Sequence, residues 1–147
     1  MYVIRGVLSL AGRVCLVAIF VMSAVGNKIV NFSSVADGMA AEGILAPKVM
    51  LVGATAFLLL GSLSLVLGYR PRLGATLLLV FLAGASYFYH DFWTVEDAGA
   101  RQAELVQFMK NVALIGAMLL VVANGTGPWS MHPAGEKPAT DSEVPQD

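Results

Sequence analysis

QFMKNVALIGAMLLV, Gln107 to Val121, decides how this chain is read. The run is apolar except for Gln107, Lys110 and Asn111. Extended to Leu105–Val122, it is long enough to cross a ~30 Å hydrocarbon layer as a helix at about 1.5 Å per residue. A cation inside such a helix costs about 2.5–3.5 kcal/mol or more at a bilayer centre, so it calls for a partner. Three more runs of this kind precede it: Val7–Val25, Val49–Leu67 and Leu73–Tyr89. None shows the apolar–polar alternation of a membrane barrel strand. The predicted fold is all-α: a polytopic membrane protein with a four-transmembrane-helix bundle over residues 1–131.

Composition agrees. Of 147 residues, 57% are hydrophobic and 13% charged, against about 45–50% and 25% in soluble domains. A net charge of −1 leaves no basic surface for nucleic acid. One cysteine, Cys15, excludes an internal disulfide, a CxxC redox pair and a cysteine-based zinc cluster; it reads as a packing residue. His90 and His132 are the two histidines, and one helix length separates them, so they cannot share a haem or metal ion. No metal and no covalently bound cofactor is expected. Ser62, Ser64 and Ser86 read as helix-packing serines. The first run is not read as a cleaved signal, because Arg13 interrupts it.

The loops set an expected orientation. Arg5, Arg70, Arg72 and Lys137 fall on one side, and Lys28, Lys48 and Arg101 on the other. Lys and Arg favour the cytoplasmic side, which places both termini there. In the first external loop, Ser33 or Ser34 is expected to cap a short interfacial helix through VADGMAAEGI. Its Val35, Met39 and Ile44 would face the membrane. Residues 132–147 are polar and Pro-rich, and read as a disordered cytoplasmic tail.

The polar residues of the spans carry the functional question. Arg13 lies within the first run and Lys28 just past its far end. His90 and Asp91 end the third run, and Glu104 opens the fourth. Gln107, Lys110 and Asn111 follow at helical spacing. The external half of the bundle is expected to gather Lys28, His90, Asp91, Glu104, Gln107, Lys110 and Asn111, with Arg13 approaching from below and Trp93 as a wall. Two readings stay open. The groups satisfy one another, or they form a pocket for an oxygen-rich or anionic ligand. The runs hold no Asp or Glu in their interiors, which argues against a cation or proton-antiport site and, with it, coupled small-solute transport.

The sequence resembles the DoxX family of bacterial four-helix membrane proteins. The resemblance rests on GRVCLVAIFVMSAVGNKI (Gly12–Ile29), GILAPK, GYRPRLGA, YHDFW (Tyr89–Trp93) and FMKNVALIGAMLLVVANGTGPWSM, and spans about Arg5 to Met131. It marks Arg13, Lys28, His90, Phe92, Trp93, Lys110 and Asn111. Two departures stand out. The second run has no glutamate in GATAFLLLG, and GPWS continues with Met131-His132 rather than Leu-Asp. The resemblance implies an inner-membrane subunit associated with a redox, quinone-linked system. Quinone is the implied ligand; a redox protein or a second copy is the implied partner besides the bilayer. The alternative is a non-catalytic scaffold that anchors a partner protein.

Overall fold

A computed structural model of the chain describes residues 1–131; the predicted tail lies outside the described residues. Helix α1 (Tyr2–Val21) continues without a break into a π-helical segment, Met22–Ile29. Helix α2 is Phe32–Ala41, α3 Pro47–Leu67, α4 Pro71–Tyr89 and α5 Ala98–Asn124. The described residues contain no strand. Four helical stretches are long and apolar enough to span a membrane: Tyr2–Ile29, Pro47–Leu67, Pro71–Tyr89 and Ala98–Asn124. The chain is thus an all-α, multi-pass membrane protein.

Local chemistry fixes the boundaries. Pro47 and Pro71 sit in the first turns of α3 and α4, where a missing N–H leaves no helical bond unmade. Gly68 ends α3 at φ 66°, in the left-handed conformation that glycine adopts without steric cost. Asp97 caps α5 by accepting from Ala100 N at 2.8 Å. The α5 start lies a full two turns before Leu105. The helix carries AGARQAE as a polar extension, which hydropathy does not register as part of a span.

Helices α1, α3, α4 and α5 surround a core of Val17, Phe20, Ala24, Leu58, Leu65, Ala75, Leu78, Leu82 and Met118. Helices α3 and α4 approach most closely at glycines. A Cβ on Gly61 would meet Leu78 and the Gly74 carbonyl, and one on Gly74 would meet Ser64. The bundle has two ends. At the terminal end lie Tyr2, the Gly68–Arg70 turn and residues 125–131. At the other, the α2 end, lie α2 and loop 90–97.

The short helix α2 is present, but it begins at Phe32 behind Asn31, so Ser33 and Ser34 lie in its first turn rather than capping it. Its apolar face packs on α3: Ala36, Met39 and Leu51 form a small buried cluster with Phe32, Val35 and Ile44. Met39, expected to face the membrane, is buried in the protein instead, because the α3 start offers Leu51 at the right height.

Candidate functional site

The structure divides the expected polar cluster into three separate places.

Arg13 is at the terminal end. It is 4% exposed, and its guanidinium spans four carbonyls. Nε donates to Ser9 O at 3.3 Å, and one terminal nitrogen to Val66 O at 3.0 Å. The other donates to Pro128 O at 3.3 Å and Trp129 O at 2.9 Å. Val66 lies in the last turn of α3, where unpaired carbonyls and the helix dipole favour a cation. The GTGPWS segment is held by more than Arg13. Ser9 Oγ donates to Thr126 O at 2.5 Å, and Met131 N to Leu67 O at 3.1 Å. The Trp129 indole lies against Gly6, where a Cβ would overlap it. Trp129 takes φ 58°, strained for a bulky residue and held by these bonds. Arg13 therefore does not approach the Lys110 region. It closes the terminal end.

Lys28 is at the α2 end and turns inward. In the π segment, i→i+5 bonding widens the turn and stacks residues five apart. The Lys28 ammonium accordingly reaches back to Ser23 Oγ at 2.7 Å, toward the middle of the span. It also lies over the Phe81 ring of α4, 5.1 Å from its centroid, a cation–π arrangement. Lys28 is half-buried, and among the described residues no carboxylate pairs with it. An ammonium has three donors; the one bond to Ser23 leaves others unused.

The remaining residues sit around α5. His90 Nδ1 meets Glu104 Oε2 at 2.8 Å, joining the end of α4 to α5. The Asp91 carboxylate accepts from Thr94 Oγ1 at 2.8 Å and shapes its own turn. Phe92, Trp93 and Phe108 form an edge-to-face aromatic trio with centroids 5.2–6.0 Å apart. Asn111 is 6% exposed and donates to Ser86 Oγ at 3.1 Å. Ser86 in turn donates to Leu82 O at 2.8 Å, so this serine links α4 to α5 rather than merely packing. Lys110 faces outward from the bundle and donates to Gln107 Oε1 on its own helix. Among the described residues it has no other side-chain partner.

The geometry thus moves weight from Lys110 to Lys28. α5 runs from the α2 end to the terminal end. Its side chains lean toward its N-terminus, so Lys110 can extend toward the near membrane surface. α1 runs the opposite way, and Lys28 leans into the membrane. Sequence reasoning missed Ser23 and Phe81 as its neighbours. The i, i+5 relation of Ser23 to Lys28 is invisible to an α-helical wheel, and a lone phenylalanine in an apolar run carries no signal.

Comparison with known proteins agrees with this architecture. The inner membrane protein YphA of Escherichia coli (strain K12) is 28% identical over 127 residues, covering 86% of this chain and 89% of that protein. No solved structure matches. The DoxX family model matches residues 8–91, which run from the second turn of α1 through the Lys28 segment, α2, α3 and α4. With that match covering more than half of its length, the chain belongs to the DoxX family.

Proposed function

We propose that this DoxX-family protein is an inner-membrane subunit of a quinone-linked redox system, with both termini cytoplasmic, and that Lys28 holds a carbonyl oxygen of the quinone. The observation that carries this reading is the inward-turned Lys28 ammonium, with one hydroxyl partner, an aromatic ring beneath it and no pairing carboxylate among the described residues. A cation so placed favours an oxygen-rich, apolar-bodied ligand that arrives through the lipid. Phe81 offers an apolar surface for such a body. The reading assigns binding to this chain; electrons would come from a partner subunit. Among the other residues expected at the ligand, Asn111 is committed to Ser86, Arg13 to carbonyls, and His90 to Glu104.

The test is titration of decylubiquinone into the full-length protein in nanodiscs, followed by calorimetry. A hydrogen bond from a charged donor contributes about 1.5–3 kcal/mol. Lys28→Met should therefore weaken binding by roughly 10- to 150-fold, and Lys110→Met should leave it unchanged. Equal affinity in wild type and Lys28→Met removes the proposal.

A further inference from the structure

We propose that the outward face of α5 docks a transmembrane helix of a different protein, and that a carboxylate on that helix pairs with Lys110. This reading is independent of the quinone site.

The first support is the position of α5 in the bundle. Of its apolar window, 11% is buried, against 22% for the α1 span and 28% for α3 and α4. Its inward face is used by Asn111 and Met118. The opposite face carries Val106, Met109, Lys110, Ala113, Gly116 and Leu120, all exposed, at the three- and four-residue spacing of one helix surface.

The second support is Gly116. A Cβ built there meets nothing within 4 Å, so nothing among the described residues uses its lack of a side chain. Gly61 and Gly74 differ, since each is filled by the neighbouring helix. With Ala113 one turn earlier, Gly116 forms a shallow place on α5 where a second helix backbone can approach closely.

The third support is charge, and it names the occupant. Lys110 lies five residues past Leu105, where the apolar part of α5 begins, exposed on this face, with Gln107 of the same helix as its hydrogen-bond partner. Charged groups at membrane depth usually pair. Helices α1, α3 and α4 contain no Asp or Glu. α5 contains Glu104, already bonded to His90 and over a turn nearer the α2 end. A second copy of this chain would bring a second Lys110 and, among the described residues, no free carboxylate to that level. The complementary partner is a helix of another protein carrying Asp or Glu.

The probe is a synthetic 23-residue Leu-Ala helix with one central Glu, beside matched helices with Gln or Leu at that position. The full chain, labelled with a donor fluorophore at its N-terminus, is reconstituted with acceptor-labelled helices in phosphatidylcholine vesicles. Buried polar contacts between membrane helices predict about 3- to 30-fold tighter association of the Glu helix than the Leu helix. Lys110→Met should abolish the preference, Lys110→Arg should keep it, and Gly116→Ile should weaken it with Lys110 intact. Decylubiquinone binding should be the same in all three variants, which separates failure here from failure of the quinone site, and an unchanged far-UV circular dichroism spectrum and SDS unfolding midpoint report that each variant folds. Equal energy transfer from the three helices overturns the proposal, as does a Glu preference that survives Lys110→Met. Energy transfer between two labelled copies of the chain, lost in Gly116→Ile, would give the face to a second copy and overturn it. So would loss of the Glu preference when a third of the lipid is phosphatidylglycerol, since Lys110 would then serve a headgroup phosphate.

Discussion

Replacing Arg13 by methionine tests the lock at the terminal end. The substitution keeps an apolar stem about as long as that of arginine but removes the guanidinium and every donor. Ser9 O lies inside α1, where the helix ladder still serves it. Val66 O, Pro128 O and Trp129 O lose the guanidinium outright. A buried polar group left unpaired costs about 1–3 kcal/mol. Removing the buried charge offsets part of that, because its own desolvation no longer opposes folding. Three carbonyls at that cost, less this offset, give a net expectation of about 3–5 kcal/mol. Arg13→Lys keeps the charge but loses the planar fork, and should fall about midway. The assay is unfolding by SDS titration in mixed micelles, followed by Trp129 emission in a Trp93→Phe background; these are the two tryptophans of the chain. Trp129 should also shift to the red before global unfolding in Arg13→Met. The reasoning fails if Arg13→Met unfolds within about 0.5 kcal/mol of wild type, a difference typical of uninvolved surface positions, with native Trp129 emission.

Two more changes test the two ends of the bundle. Gly6→Ala adds a methyl where the Trp129 ring lies, so it should destabilise by about 1–3 kcal/mol through overpacking, although alanine favours a helix by about 1 kcal/mol; the same titration with the same Trp reporter checks it. Lys28→Met removes a half-buried ammonium that no carboxylate among the described residues offsets, so the variant should be as stable as wild type or more stable by about 0.5–2 kcal/mol while losing quinone affinity; a marked loss of stability would show that Lys28 holds the bundle together rather than a ligand.

The architecture was legible because it depends on local quantities. Apolar run length located all four spans, and the prolines and Gly68 mark turns whose chemistry is local. The α5 start was not legible, since Arg101 and Glu104 look like a loop until the Asp97 cap is known to begin a helix outside the hydrocarbon. The small residues split. Gly61, Gly74 and Ala75 pack between helices, while Gly53, Gly84 and Gly116 have no neighbour among the described residues for an added Cβ. Composition finds small residues, but not which way they face. The site was legible as residue types and not as a constellation. Arg13 takes its partners from residues over 50 and over 110 positions away, a relation no local pattern encodes. The inward turn of Lys28 follows from a π segment that no propensity flags.

That π segment has a consequence for how the first span tolerates change. It acts as a phase coupling in one continuous shaft. Helix α1 is clocked by Arg13 at the terminal end, and the chain from Phe32 onward by the packing of α2 on Leu51, with the π segment between them. Wider turns absorb the angular mismatch between these two settings. A single-residue deletion between Met22 and Asn27 would leave the Arg13 bonds in place yet swing Lys28 away from Phe81 by about a quarter turn. The two ends of the protein can thus diverge independently, and Lys28 is the side chain whose direction records the setting between them.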